Sequence, residues 1–224
     1  MVRLEEFREN EYGMYIPLSA FVQEGELTIC ACPEAEEAAR WLDGLGPDAV
    51  WREEVWEELD RRLFPLADAR GYVPDAGYTH GVSLHFELSD PAKLDRSLIR
   101  PDTKRVKWNR VTCLTETVLD EESRNCPIFG TVQDGKLLSF ANLNSDDGEV
   151  ADIGVETAPG EEGKGYAASN AAALALYFLK KGRRVFYETE ASNLPSVRIA
   201  EKLGMTQTVA EYHYVCFCGG EEAF

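Results

Sequence analysis

Residues 157–167 read Thr157-Ala158-Pro159-Gly160-Glu161-Glu162-Gly163-Lys164-Gly165-Tyr166-Ala167. A β-rich run over 150–157 leads into this glycine-punctuated loop, and the loop opens onto an alanine-rich stretch, 166–181, that reads as a helix. Gly163 and Gly165 let the backbone approach a ligand with no Cβ in the way. The helix start behind them presents N–H groups that no intrahelical carbonyl satisfies, together with the positive end of the helix dipole. That combination suits a pyrophosphate held by main chain.

Two common cradles do not fit. A dinucleotide loop needs G-x-G-x-x-G, and a nucleoside-triphosphate loop needs Gly-Lys followed by Ser or Thr, whereas Gly163-Lys164-Gly165 is followed by Tyr166-Ala167. Further along, a strand over 184–190 precedes Asn193-Leu194-Pro195-Ser196, a short helix over 197–203, and Gly204-Met205. Asn193 and Ser196 are natural cap residues for that helix, and Gly204 suits its left-handed end.

Together these two segments resemble the GNAT superfamily of N-acetyltransferases. The acyl-CoA loop of that family, (Arg/Gln)-x-x-Gly-x-(Gly/Ala), falls here on Glu162, Gly163, Lys164, Gly165, Tyr166 and Ala167. The run Ala200-Glu201-Lys202-Leu203-Gly204-Met205, with a Thr-x-Pro strand end, looks most like the zwittermicin-resistance-type branch. The resemblance covers about the last half of the chain. It implies an α+β, mixed α-β fold with a mostly antiparallel, splayed sheet, in the order β-β-β-α-β-α-β. Acetyl-CoA is the implied co-substrate, with its pantetheine arm in the gap between the strand before the loop and the strand after the loop's helix. On this reading the pyrophosphate lies on the main-chain N–H groups of Gly163, Gly165, Tyr166 and Ala167. Lys164 is the nearest cation, Val155 and Thr157 offer backbone to the pantetheine amides, and Asn193 and Ser196 lie beside the arm.

The chain departs from the family at three places. Glu162, with Glu161 beside it, stands where Arg or Gln is usual, and a carboxylate repels pyrophosphate by ~1 kcal/mol at 4 Å in a water-like dielectric. Ala200 occupies the position of the Tyr acid found in many relatives, and Ala151 that of the Glu base of histone-acetylating members. The remaining candidates for proton transfer are Glu190, at the end of the strand after the loop's helix, and Glu149, two residues before Ala151. Tyr212, His213 and Tyr214 on the last strand also come into consideration. The expected reaction is direct acetyl transfer to a primary amine of a small molecule; the alternative is a non-catalytic acyl-CoA-binding or sensing protein.

Composition narrows the partners. The 224 residues carry 40 acidic against 23 basic side chains, a formal charge of −17, with 44% apolar content. Such a field disfavours nucleic acid and anionic membrane and would attract an amine, while solubility alone accounts for most of the charge. No apolar run reaches membrane-spanning length and the N-terminus has no signal-peptide character, so a cytoplasmic protein is expected. A homodimer is compatible with the sequence and not required by it. Cys30, Cys32, Cys113, Cys126, Cys216 and Cys218 lack zinc-site spacing, as do His80, His85 and His213, so no metal is expected and the cysteines read as small hydrophobes. Cys126 and Ser139 have no visible base partner and read as structural.

Two regions are expected: a mixed α/β N-terminal region, 1–104, on the acceptor or accessory side, and the acetyl-CoA-binding domain, 105–224. Within the first, a β run over 26–32 precedes a helix ending near Gly44. Asp48 could cap a second helix that Pro65 ends, and a strand follows over 82–87. Within the second, Asp134-Gly135 marks a tight hairpin between strands over 128–132 and 137–143.

Overall fold

The computed structural model describes residues 1–5, 14–71, 78–115 and 126–217. The acidic turn at Asp120–Glu122 and Cys218 lie outside the described residues, as do the side chains of His80, His213, Tyr214 and Cys216. Two compact units emerge. The first comprises Met1–Leu84, Glu190–Ser192 and Thr208–Phe224; the second comprises His85–Thr189 and Asn193–Gln207. The second unit takes in residues 85–104, which the sequence reading placed with the N-terminal region.

In the first unit, β1 (Val2–Leu4), β3 (Glu26–Ala31) and β2 (Met14–Gln23) lie side by side, with β11 (Thr206–Phe217) next to β2. β1 runs parallel to β3, and the other two pairings are antiparallel. α1 (Glu36–Leu45) packs on β3 and α2 (Glu53–Asp68) on β2. Two local expectations are corrected here. Asp48 lies in a 3-10 turn, Pro47–Trp51, and α2 begins after Arg52 with no side-chain cap. α2 also runs through Pro65, because Val55, Leu59, Leu63 and Ala67 form one buried stripe at four-residue spacing. Burying Leu63 and Ala67 outweighs the hydrogen bond that proline forfeits.

The second unit holds the antiparallel-rich sheet. Residues 85–88 of β4 (Tyr78–Leu88) lie beside β10 (Arg184–Glu190), followed by β9 (Val150–Thr157), β8 (Lys136–Asp146), β7 (Ile128–Gln133) and β5 (Thr103–Val106). The short β6 (Thr112–Cys113) pairs with β8. Asp134 and Gly135 both take positive φ, 51° and 77°, which is the primed two-residue turn that matches strand twist in the β7–β8 hairpin. α3 (Tyr166–Leu179) covers one face of β7, β8 and β9 and touches α4 (Leu194–Leu203). Ten of its residues are buried, five of them alanines, so the helix backbone comes close to the sheet.

β9 and β10 are parallel, and their register holds three pairs: Arg184 with Val150, Val185 with Ala151, and Phe186 with Asp152. Beyond Asp152 the two strands are no longer paired, which gives the expected splay.

Polar groups lock α3 onto the sheet. The backbone N–H of Arg100 donates to the Ser169 hydroxyl at 2.8 Å, and the Ser169 and Thr103 hydroxyls share a 2.6 Å hydrogen bond. Thr103 and Thr131 donate to Asn170 Oδ1, and Asn170 Nδ2 donates to Ser139 at 3.2 Å. Ser139 in turn donates to the Glu156 carbonyl at 2.7 Å and accepts from Thr157 at 3.0 Å. Asn170 and Ser139 are fully buried. We predict that Asn170→Ala, which strands several of these groups, lowers stability by ~2–3 kcal/mol. Denaturant unfolding should show a lower midpoint with an unchanged slope.

Candidate functional site

The sharp end of β9, the loop after it and the start of α3 form one wall of a cleft of about 450 Å³; α4 forms the other. Gly163 (φ 75°) and Gly165 (φ 82°) are left-handed, a conformation that admits glycine without strain. Gly165 is the N-cap of α3 and offers no side-chain cap, so the first turn of the helix faces the cleft bare. A Cβ built on either glycine would meet nothing within 4 Å. The space in front of this turn is therefore open to a ligand, and no capping group competes for the N–H groups there.

Two flanking contacts shape the loop. Arg100 Nη1 donates to the Lys164 carbonyl at 3.1 Å, and its guanidinium lies 4.8 Å from the centre of the Tyr166 ring. The Glu162 carboxylate accepts from the Gly160 N–H at 2.7 Å, and Glu161 pairs with Lys164 at 2.7 Å. That pairing, the first cause of the shift, raises the Lys164 pKa. Both acidic side chains are thus occupied with their own loop, although both still line the cleft.

The expected cofactor-contacting residues separate into three groups. Val155, Thr157, Gly163, Gly165, Tyr166, Ala167 and Ser196 all line the cleft. Lys164 turns its ammonium to Glu161. Asn193 caps α4, its side chain accepting from the Ser196 N–H at 3.3 Å. Burial raises the pKa of Tyr187, with the Ser196 side chain acting the other way. The expected helix boundary shifts, because Leu194, Pro195 and Ser196 already belong to α4. Gly204 ends it at φ 78°, where a Cβ would come within 2.3 Å of the Lys93 carbonyl.

The candidates for proton transfer lie elsewhere. Glu149 is exposed in the turn that enters β9, at the opposite end of the strand from the cleft. Glu190 closes β10, its carboxylate filling the space beside Gly81. Tyr212 is fully buried in the first unit, stacked on Trp56 at 6.2 Å. None of the three lines the cleft.

Sequence reasoning missed two sets of residues. Arg198 and Lys202 on α4 line the cleft and place two cations opposite the loop. Their four-residue spacing on one helix face was visible, but it equally describes a solvated surface. The second set surrounds Asp152, the last residue of β9 paired with β10. One of its carboxylate oxygens is buried and has no hydrogen-bond partner among the described residues, with the Asn144 side chain nearby. Gly154 makes room for this, since a Cβ there would come within 2.5 Å of the Asn144 side chain. On the same face, His85 of β4 lies 3.9 Å from Glu188 of β10 and edge-on to Phe186. Burial first, then the charge of Glu188, push the Asp152 carboxyl up to about 6; Asn144 and His85 act the other way.

The sequence profile of the acetyltransferase (GNAT) domain matches residues 82–206 of this chain. No curated protein matches it. Among solved structures, a GCN5-related N-acetyltransferase-like protein of Streptococcus suis is 16% identical over 90% of this chain and 87% of its own, with a TM-score of 0.52. A GNAT-family protein of Novosphingobium aromaticivorans is 19% identical over 61% of this chain, TM-score 0.48, and the chain spans 65% of it. An acetyltransferase from the GNAT family of Colwellia psychrerythraea is 17% identical over 67% of this chain, TM-score 0.46, and the chain spans 61% of it. At these identities the structures speak to the fold alone, and none singles out the zwittermicin-resistance-type branch.

The raised Asp152 carboxyl carries a stability consequence. Its charged form is disfavoured in the fold, so its contribution to stability is full below pH ~4 and is lost as pH rises through about 6. We predict that Asp152→Asn is the more stable protein above pH 7, by ~1–2 kcal/mol once partial exposure is discounted, and that the gain vanishes near pH 4. Thermal melts of both proteins at pH 4.5 and 8 check this.

Proposed function

The chain belongs to the GNAT acetyltransferase family, and we propose that its reaction is direct transfer of the acetyl group of acetyl-CoA to the primary amine of a small molecule. The observation that carries this reading is the bare first turn of α3 facing an open cleft with left-handed glycines at its lip. The pyrophosphate lies on the N–H groups of Gly163, Gly165, Tyr166 and Ala167. The pantetheine arm runs into the splay between β9 and β10, past Val155, Thr157 and Ser196, while Asn193 holds the start of α4. Arg198 and Lys202 offset the charge of Glu161 and Glu162, replacing from across the cleft the cation that the loop lacks at Glu162. Two separated surface cations are worth ~1–2 kcal/mol together toward a multiply charged ligand at moderate salt.

The acceptor reading draws on the acidity of the chain, which enriches cations near its surface. Both substrates are held at once, with no acetyl-enzyme. Among the described residues no helix is long and apolar enough to cross a membrane.

Calorimetric titration with acetyl-CoA tests the cofactor half. Gly163→Val and Gly165→Val should abolish binding while leaving the melting profile cooperative. Arg198→Ala combined with Lys202→Ala should weaken binding by roughly tenfold, and Glu162→Gln should strengthen it by about threefold. Unchanged affinity in the glycine variants would overturn the cradle. Initial rates with both substrates varied should give intersecting lines; parallel lines with a trapped acetyl-enzyme would overturn direct transfer.

A further inference from the structure

Asp152 sits where the β9–β10 register ends, on the face of the sheet opposite Ala151. Ala151 is fully buried, while Asp152 shares its face with Phe186, Glu188 and His85. From Thr157, at the lip of the cradle, to Asp152 is five residues of strand, roughly 17 Å. An extended pantetheine arm anchored by its pyrophosphate covers a comparable length. An arm laid along β9 therefore delivers its thioester near the point where the strands part, and Asp152, just beyond the lining of the cleft, is an ionisable group on β9 at that point.

The surroundings suit a proton acceptor. The side chain of Asn144 on β8 favours the charged form of Asp152, and one carboxylate oxygen is buried with no hydrogen-bond partner among the described residues. Such an oxygen is costly to keep and marks a group with work elsewhere. Glu188, about half exposed, stands on the open side with His85 behind it at 3.9 Å. Of the other charges on these strands, Arg184 pairs with Glu87 at 3.0 Å, and Glu190, on the same face of β10 as Glu188, lies at the strand end beside Gly81. At the end of β8, Asp146 pairs with Arg183.

We propose that Asp152 is the catalytic base that takes the proton of a cationic primary amine, and that Glu188 is the positioning residue that draws the ammonium to it. This rests on the acyl-transfer reading above. Asp152 removes one proton from the ammonium. The nitrogen lone pair attacks the thioester carbonyl carbon, forming the C–N bond, and the C–S bond breaks with its electron pair leaving on sulfur. A second nitrogen proton passes to the thiolate, giving CoA thiol, and Asp152 returns its proton to solvent. The balance is ammonium plus thioester to amide, thiol and one proton. A carboxyl titrating near about 6 is mostly ionised at neutral pH and ready to accept.

The test measures release of CoA thiol from acetyl-CoA with a set of short primary monoamines and diamines, across pH 5–9, beside calorimetric affinity for acetyl-CoA. Asp152→Asn should lose roughly 100-fold or more in kcat with acetyl-CoA affinity within twofold of wild type. The low-pH limb of kcat/KM should disappear with it. Glu188→Gln should raise the amine KM by about tenfold and change kcat much less. Asp152→Asn within threefold of wild-type kcat overturns the inference. So does acetyl-CoA binding with no turnover of any of these amines, which leaves the cofactor reading standing. Absence of acetyl-CoA binding overturns both.

Discussion

A chain of buried and half-buried polar groups, Arg100–Ser169–Thr103–Asn170–Ser139–Thr157, holds the start of an uncapped helix beside the end of a strand. A helix start with no cap forgoes ~1 kcal/mol, and a cluster of glycines in left-handed conformation adds to the entropy that folding must overcome. Neither would persist at a fixed place without ties from the rest of the unit. These hydrogen bonds supply the ties. Each member satisfies its neighbours, so the bare N–H groups at the lip of the cleft are an exception within an otherwise satisfied region. The same ties set how far α3 stands from β9, and therefore the width of the cleft.

The sheet supplies the second constraint. Parallel pairing of β9 with β10 lasts three residues, and the parting that follows opens two faces with different characters. On the α3 side, Ala151 and Ile153 are buried and apolar. On the other side, Asp152, Glu188 and His85 gather around Gly154 and Asn144. A one-residue step along β9 thus separates a packing position from a polar one. A carboxylate kept at the apex of the splay costs stability at neutral pH, and the fold tolerates that cost where a reacting amine would come.

Legibility in the sequence followed the range of the interaction. Features set by neighbours along the chain were readable: β10 at Arg184–Glu190, the Asp134-Gly135 hairpin, the glycine loop, and Asn193 and Gly204 bounding α4. Where tertiary burial outweighed local chemistry, the reading went astray. Pro65 reads as a stop, yet Leu63 and Ala67 carry α2 past it, and Asp48 reads as a cap but lies in a separate 3-10 turn. The polar stretch that holds Arg100 reads as a connector, because its bonds to Ser169 and Lys164 join residues more than sixty positions apart. Asp152 is invisible as a special group for the same reason. Its character comes first from burial and then from Glu188, with Asn144 and His85 acting the other way, all on other strands. Arg198 and Lys202 were hidden by a different ambiguity, since cations at four-residue spacing mark a solvated helix as readily as a phosphate wall.

The central claim is that main-chain N–H groups at the start of α3 hold the pyrophosphate of CoA. Amide proton and nitrogen shifts followed during titration with CoA test it most directly. The account predicts that the resonances of Gly163, Gly165, Tyr166 and Ala167 move farthest, their protons downfield as charge-assisted hydrogen bonds form, with the Arg198 and Lys202 region following. Saturable binding that leaves these four amides in place while others move would contradict it.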